Sequence, residues 1–237
     1  MGPDKFLHSQ CKKRILPGMT TVAPAPDGRS ARATRTRNAV VDAFLALIDD
    51  GNLRPTARQV SERAGVSLRS VFQHFADLES LFATAADKQV ERLTPLATRV
   101  SPEATLEDRI ALFVDARTRL LEAISPVRRA ALLQAPFSEE LAGRLHWSRE
   151  SNRAEVARVF SPELAALPEK DRRDVLAALH AASEWYTWET LRVHDGLSAT
   201  DARGVMSRML SALLVRALPS PAAAAEGPGV RARKETR

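Results

Sequence analysis

The chain has 237 residues, of which 44% are hydrophobic, and 35 Lys and Arg against 29 Asp and Glu give a formal charge of +6. That length can bury a core in one domain or two small ones, and the composition is that of a soluble globular protein. A single cysteine, Cys11, excludes an intramolecular disulfide framework and fits a reducing cytoplasm, no apolar run is long enough to span a bilayer, and the first residues lack the apolar core of a signal peptide.

Alanine, leucine, arginine and glutamate recur throughout while strand-like alternation is nearly absent, so an all-α fold is expected. Residues 1–33, rich in Pro, Gly, Ser and Arg and without a period, read as a disordered arm; Met19 opens a second plausible beginning, which makes residues 1–18 an extension. From Thr34 a helical pattern starts, with Val40, Val41, Phe44, Leu45 and Ile48 on one face and a stop near Asp50-Gly51. Thr56 is an N-cap with Gln59 three residues on, the spacing of a capping box, and Ala57, Val60 and Ala64 form the narrow apolar face of a short second helix. Gly65 takes a turn and Ser67 caps a third helix running to about His74. Asp77 caps a fourth, with Leu78, Leu81, Phe82 and Ala85 as its stripe, ended or kinked at Pro95. Ser-Pro pairs at Ser101, Ser125 and Ser161 read as helix starts, giving helices near 103–124, 127–135, 138–160, 169–194 and 199–217. Gly196 closes the penultimate one, Ser198 with Asp201 opens the last, and residues 219–237 read as a disordered tail.

Ala64, Gly65 and Ser67 supply in order the small contact, the turn and the cap that a helix-turn-helix needs. In the third helix Val66, Val71 and Phe75 can face inward, leaving Leu68, Arg69, Ser70 and Gln73 outward. Arg69 can take guanine O6 and N7 together, Gln73 can read adenine, and Leu68 can touch a thymine methyl. Thr56, Ser67 and His74 can hold phosphates. Arg35 and Arg37, in a basic run just before the first amphipathic segment, complete the candidate DNA-binding set with Arg58 and Phe72. Capping and packing alone would account for Thr56, Ser67 or His74 one at a time, but the pattern is more specific than its parts.

Thr56–Phe82 resembles the DNA-binding region of the TetR family of transcriptional regulators through Thr56, Val60, Ala64-Gly65-Val66-Ser67, Phe72, His74-Phe75 and Leu81-Phe82. The resemblance implies a helix-turn-helix domain over 34–76 and a helical regulatory and dimerisation domain over 77–218. It also implies a homodimer formed through the last two long helices, with Val175, Leu179, Ala182, Trp185, Tyr186 and Trp188 on the first and Val205, Met206, Met209, Leu210, Leu213 and Leu214 on the second as candidate interface residues. A small-molecule pocket is implied as well, for which Phe113, Arg117, Phe137, His146, Trp147 and Trp185 are the candidate lining and an apolar or aromatic effector the expected ligand. Two residues depart from the family pattern: Phe72 stands where tyrosine is usual, and Leu78 where lysine is common, removing two phosphate contacts.

No metal-ligand spacing, nucleophile elbow or glycine-rich phosphate loop is present, so no enzyme, catalytic residue, metal or cofactor is expected. The expected function is a repressor released from its double-stranded DNA operator by a small molecule. The alternative is a helical adaptor of the same fold with weak or lost DNA binding.

Overall fold

The computed structural model describes residues 28–93 and 100–217, so the expectations for the arm before Gly28, for Pro95 and for the tail from residue 219 lie outside the described residues. Among the described residues every regular element is helical: α1 Gly28–Asp49, α2 Ala57–Ala64, α3 Leu68–His74, α4 Leu78–Leu93, α5 Leu106–Gln134, α6 Glu139–Val159, α7 Ser161–Ala165, α8 Glu169–Ala182, α9 Trp185–Glu189 and α10 Ala199–Ala217. A 3-10 turn, Ala135–Phe137, joins α5 to α6, and a π-helical turn, Thr190–His194, follows α9. The fold is all-α, and none of these helices is long and apolar enough to cross a membrane.

The chain divides between Thr36 and Arg37 into two units. In the first, residues 28–36 are already helical, although the sequence pattern placed the arm's end at residue 33. The expectation relied on an apolar period, but Ala and Arg are good helix formers without one. The hydroxyls of Thr34 and Thr36 donate back to the carbonyls of Ser30 and Arg32 at 3.0 and 3.1 Å.

The second unit holds two cores. One gathers Val40, Phe44, Ile48, Val60, Val71, Phe75, Leu81 and Phe82 with Val127, Ala130 and Leu141. The other gathers Ile110, Phe113, Leu121, Val156, Phe160, Leu179, Trp185, Trp188, Met206 and Leu210. The first core is thus built by the helix-turn-helix together with α4, the end of α5 and the start of α6. α5 belongs to both, crossing from one to the other between Leu121 and Val127.

That crossing corrects the expected break at Ser125-Pro126. Pro126 lies inside an uninterrupted α5, because burial on both sides outweighs the roughly 3 kcal/mol that an interior proline costs. α5 also starts later than Ser101-Pro102 implied, behind Thr105, whose hydroxyl accepts from the Asp108 amide at 3.2 Å. The expected helix over 169–194 is broken at Ser183. There the Ser183 hydroxyl donates to Leu179 O at 2.9 Å, and Glu184 Oε2 accepts from the Trp185 amide at 3.2 Å to start α9. Leu179, Ala182, Trp185, Trp188, Met206, Leu210 and Leu214 are buried within the chain itself. Val175, Val205, Met209 and Leu213 are only partly buried, and Tyr186 is exposed.

Asp77 caps α4 as its sequence position implied: Oδ1 accepts from the Ser80 amide at 2.7 Å. The Ser80 amide and then the Ser80 hydroxyl hold this carboxyl below the ordinary aspartate value of 3.8. Because the folded value is the lower one, the contribution to stability is present above pH 3.8 and is lost as pH falls toward that folded value. Asp77→Asn, which keeps a capping oxygen but does not titrate, is expected to lose stability less steeply over that window. Urea unfolding across the acid range checks it, and an unchanged slope would remove Asp77 from the acid limb.

Candidate DNA-binding face

The face begins at two Schellman turns. At the end of α1, Gly51 has φ +92°, with Gly51 N donating to Ile48 O and Asn52 N to Leu47 O, both at 2.9 Å. At the end of α2, Gly65 has φ +65°, with Gly65 N donating to Glu62 O at 3.3 Å and Val66 N to Ser61 O at 3.0 Å. A side chain at either glycine would meet open space, so the requirement is on the backbone, which L-residues adopt reluctantly.

Between these turns Thr56 closes a full capping box. Its amide donates to Gln59 Oε1 at 2.9 Å, and its hydroxyl oxygen accepts from the Gln59 amide at 3.3 Å. Asn52 Nδ2 donates to the same Gln59 oxygen at 3.2 Å, tying the loop to the box. After Gly65, Ser67 Oγ accepts from the Ser70 amide at 3.1 Å and starts α3. Phe75 ends it in extended backbone, its amide donating to Val71 O at 3.0 Å.

α3 is clamped from behind by Val71 and Phe75, both buried, with Val66 partly so. Leu68, Arg69 and Gln73 face solvent as the pattern implied, Ser70 and His74 are half-buried, and Phe72 is 50% exposed. No hydrogen bond or ion pair holds Arg69 among the described residues, whereas Arg58 is already paired with Glu62 at 2.9 Å. Arg37 is exposed but engaged: its guanidinium lies 4.9 Å from the Phe75 ring centroid, and Nη2 donates to Thr84 Oγ1 at 3.2 Å. Thr56 and Ser67 are exposed at the two helix starts, and Arg35 is exposed on α1. Leu78 is half-buried against the core, so it is a packing residue at a position where a cation would project.

The six candidate ligand residues are not brought together. Phe113 packs edge-on against Phe160 at 5.5 Å in the core, and Phe137 is 84% exposed on the turn between α5 and α6. His146 and Trp147 lie on the outer side of α6, because Leu141, Asn152, Val156 and Val159 take its buried side. Phe137 instead borders an open cleft of about 450 Å³ with Thr56, Leu78, Glu79, Gln134 and Ser138. Arg117 and Trp185 share a neighbourhood around Ser183 and Glu184, and Phe113 belongs to the same core as Trp185. Arg117 Nε donates to Ser183 O at 2.9 Å, and Trp185 Nε1 donates to Ser125 Oγ at 2.9 Å. Burial pushes Arg117 down to about 10, opposed by the Glu184 carboxylate, which leaves it charged at neutral pH.

Sequence reasoning missed the other members of this neighbourhood: Arg128, Ser148, Asn152, His180 and Glu184. They come from several helices: Ser148 and Asn152 are one turn apart, as are His180 and Glu184, but Arg128 is distant from both pairs and follows a proline read as a helix start.

Neither a family model nor a curated protein sequence matches the chain. Solved structures do. A transcriptional regulator from Rhodococcus sp. Rha1 superposes with a TM-score of 0.59 at 19% identity, over 78% of this chain and 96% of that one. One described as a TetR-family transcriptional regulator from Mesorhizobium loti gives 0.56 at 17% identity, over 78% and 98%. A TetR transcription regulator from Haloarcula marismortui gives 0.54 at 18% identity, over 76% and 98%. All-helical among the described residues, the chain has the fold of the TetR-family transcriptional regulators.

Proposed function

We propose that the protein is a homodimeric, one-component transcriptional regulator that inserts Leu68–His74 of each subunit into a DNA major groove and is released by a small molecule bound in its helical regulatory part. The observation that carries this reading is α3 itself. It is a short helix capped at both ends, clamped by Val71 and Phe75, with Leu68, Arg69 and Gln73 turned to solvent. The description of the similar solved structures as transcriptional regulators supports it. In this reading the regulator acts as a repressor, and a ligand that disfavours the DNA-bound spacing of the two recognition helices lowers operator affinity through linkage.

A gel-shift titration on the DNA upstream of the gene tests the reading, run at several salt concentrations. A sequence-specific shift is expected, with a shallow salt dependence, because Phe72 and Leu78 offer no phosphate contact and each missing contact counts twice in a dimer. Arg69→Ala is expected to cost ~1–3 kcal/mol at one base position of the operator and little elsewhere. A uniform loss across sequences would make Arg69 a phosphate ligand instead.

The half-exposed Phe72 favours one second reading, an adaptor that uses this face on a protein. No sequence-specific shift at low salt would select it.

A further inference from the structure

Where the middle of α5 meets α6, α8 and the start of α9, the apolar interior gives way to charge. Arg128 is 7% exposed, Asn152 4%, and Glu184 is equally buried. Arg128 Nη1 donates to Ser148 Oγ at 3.2 Å, and its guanidinium stands 5.6 Å from the Trp185 ring centroid. Its Nη2 is 3.9 Å from Glu184 Oε2, beyond hydrogen-bond reach, and Nε and Nη2 are both buried without a hydrogen-bond partner in the protein. One turn beyond Ser148 on the same face of α6, neither the nitrogen nor the oxygen of the Asn152 amide finds a protein partner. His180 Nε2 lies 3.3 Å from Glu184 Oε1 without the alignment of a hydrogen bond.

The charges do not balance either. Arg117 and Arg128 both lie in the field of Glu184, whose Oε2 already caps the Trp185 amide. The next acid, Glu155, is held by Arg158 through contacts of 2.7 and 2.9 Å, and Arg149 adds a further positive field at Arg128. The interior therefore has one cation more than its carboxylates neutralise, a half-used guanidinium fork and an unused amide. A carboxylate supplies what is missing: one negative charge and two coplanar acceptor oxygens for the Arg128 fork. The Asn152 amide can serve a further polar atom, and the Trp185 ring forms an apolar wall for the rest of such a molecule.

We propose that this interior is a carboxylate-binding site and that it takes a small monocarboxylate with a flat apolar body. Resting on the ligand-responsive reading above, it gives that ligand an anionic group in place of a wholly apolar character.

The test uses the full chain without DNA, with benzoate and its neutral counterpart benzamide as probes and sodium chloride as the ionic control. Benzoate is expected to raise the melting temperature saturably and to shift the tryptophan emission. Benzamide should bind at least tenfold more weakly, and chloride should do neither. Arg128→Met should abolish the benzoate response. Because that change leaves Glu184 without its nearest cation, the charge-balanced pair Arg128→Met with Glu184→Gln is measured alongside, its fold checked by circular dichroism. At least a tenfold loss is expected there too. Equal binding of benzoate and benzamide, unchanged benzoate binding in the pair variant, or no saturable benzoate response at all, as for a pocket satisfied by buried water, would each overturn the proposal. Benzoate that binds as expected but leaves operator affinity unchanged upholds the site and removes the ligand-release reading. DNA release by a neutral compound, with no benzoate binding, does the reverse.

Discussion

Arg109→Ala is expected to destabilise the protein by about 3–5 kcal/mol, the cost of breaking a buried ion pair from one side. Arg109 is 3% exposed, and Nη1 donates to Glu163 Oε2 at 2.7 Å while Nη2 closes the second arm of the fork on Oε1. The same side chain donates to Val159 O at 2.8 Å and to Ala104 O at 3.0 Å. One guanidinium thereby fastens the first turn of α5 to the loop before it, to the end of α6 and to α7. Alanine removes all four bonds and leaves the Glu163 carboxylate buried without its cation. The pair Arg109→Met with Glu163→Met removes the orphaned charge as well and is expected to recover much of the loss, since apolar groups of similar volume often replace a buried pair at little cost. Guanidinium unfolding of the two variants decides it. A single-variant loss below about 1 kcal/mol, as for an exposed pair, would mean that water reaches Glu163 and that the fork contributes no more than a surface bridge.

Phe82→Ala is expected to cost a similar ~3–5 kcal/mol and, under the proposed function, to weaken DNA binding as well. Phe82 is fully buried and meets Phe44 edge-on at 5.4 Å, so a cycle with Phe44→Ala should show ~0.5–1.5 kcal/mol of coupling beyond area burial. Phe82 belongs to α4, yet it shares a core with Val60 of α2 and with Val71 and Phe75 of α3. Cavity formation there loosens the support behind α3. Thermal unfolding followed by gel shift well below the midpoint separates the two effects. Operator affinity equal to wild type in the still-folded variant would mean that α3 is braced by α1 and α2 alone.

What the sequence made legible is local. The Thr56 capping box, the Gly65 turn, the Ser67 cap and the Asp77 cap each occupy four or five consecutive residues and form where their spacing implied. Leu68, Arg69 and Gln73 were readable as outward for the same reason, since a short helix has one buried side, marked by Val71 and by Phe75 just past its end, whereas Ser70 proved half-buried. What was not legible depends on partners distant in the chain. Ser-Pro began a helix at Ser161 and not at Ser125, although the dipeptide is the same, because packing across α5 decided the second case. The aromatic residues chosen for a pocket share a residue type and not a place: Phe113 sits in a core, while Phe137 and Trp147 face solvent. The Arg128, Asn152 and Glu184 interior has no sequence signal, because these three residues lie far apart in the chain on different elements.

Pro126 gives α5 a mechanical character. It has no N–H to offer the carbonyl four residues back, so one rung of the helix is missing where α5 passes from one core to the other. Two stiff rods then share a compliant joint, and Arg128 sits just past it. The distal rod, from Val127 to Gln134, is about 12 Å long, so a tilt of about 5° at the joint carries its tip roughly 1 Å. Gln134 at that tip borders the same cleft as Thr56, the residue that opens α2. A small change of angle at Pro126 would thereby become a displacement of Gln134 beside Thr56.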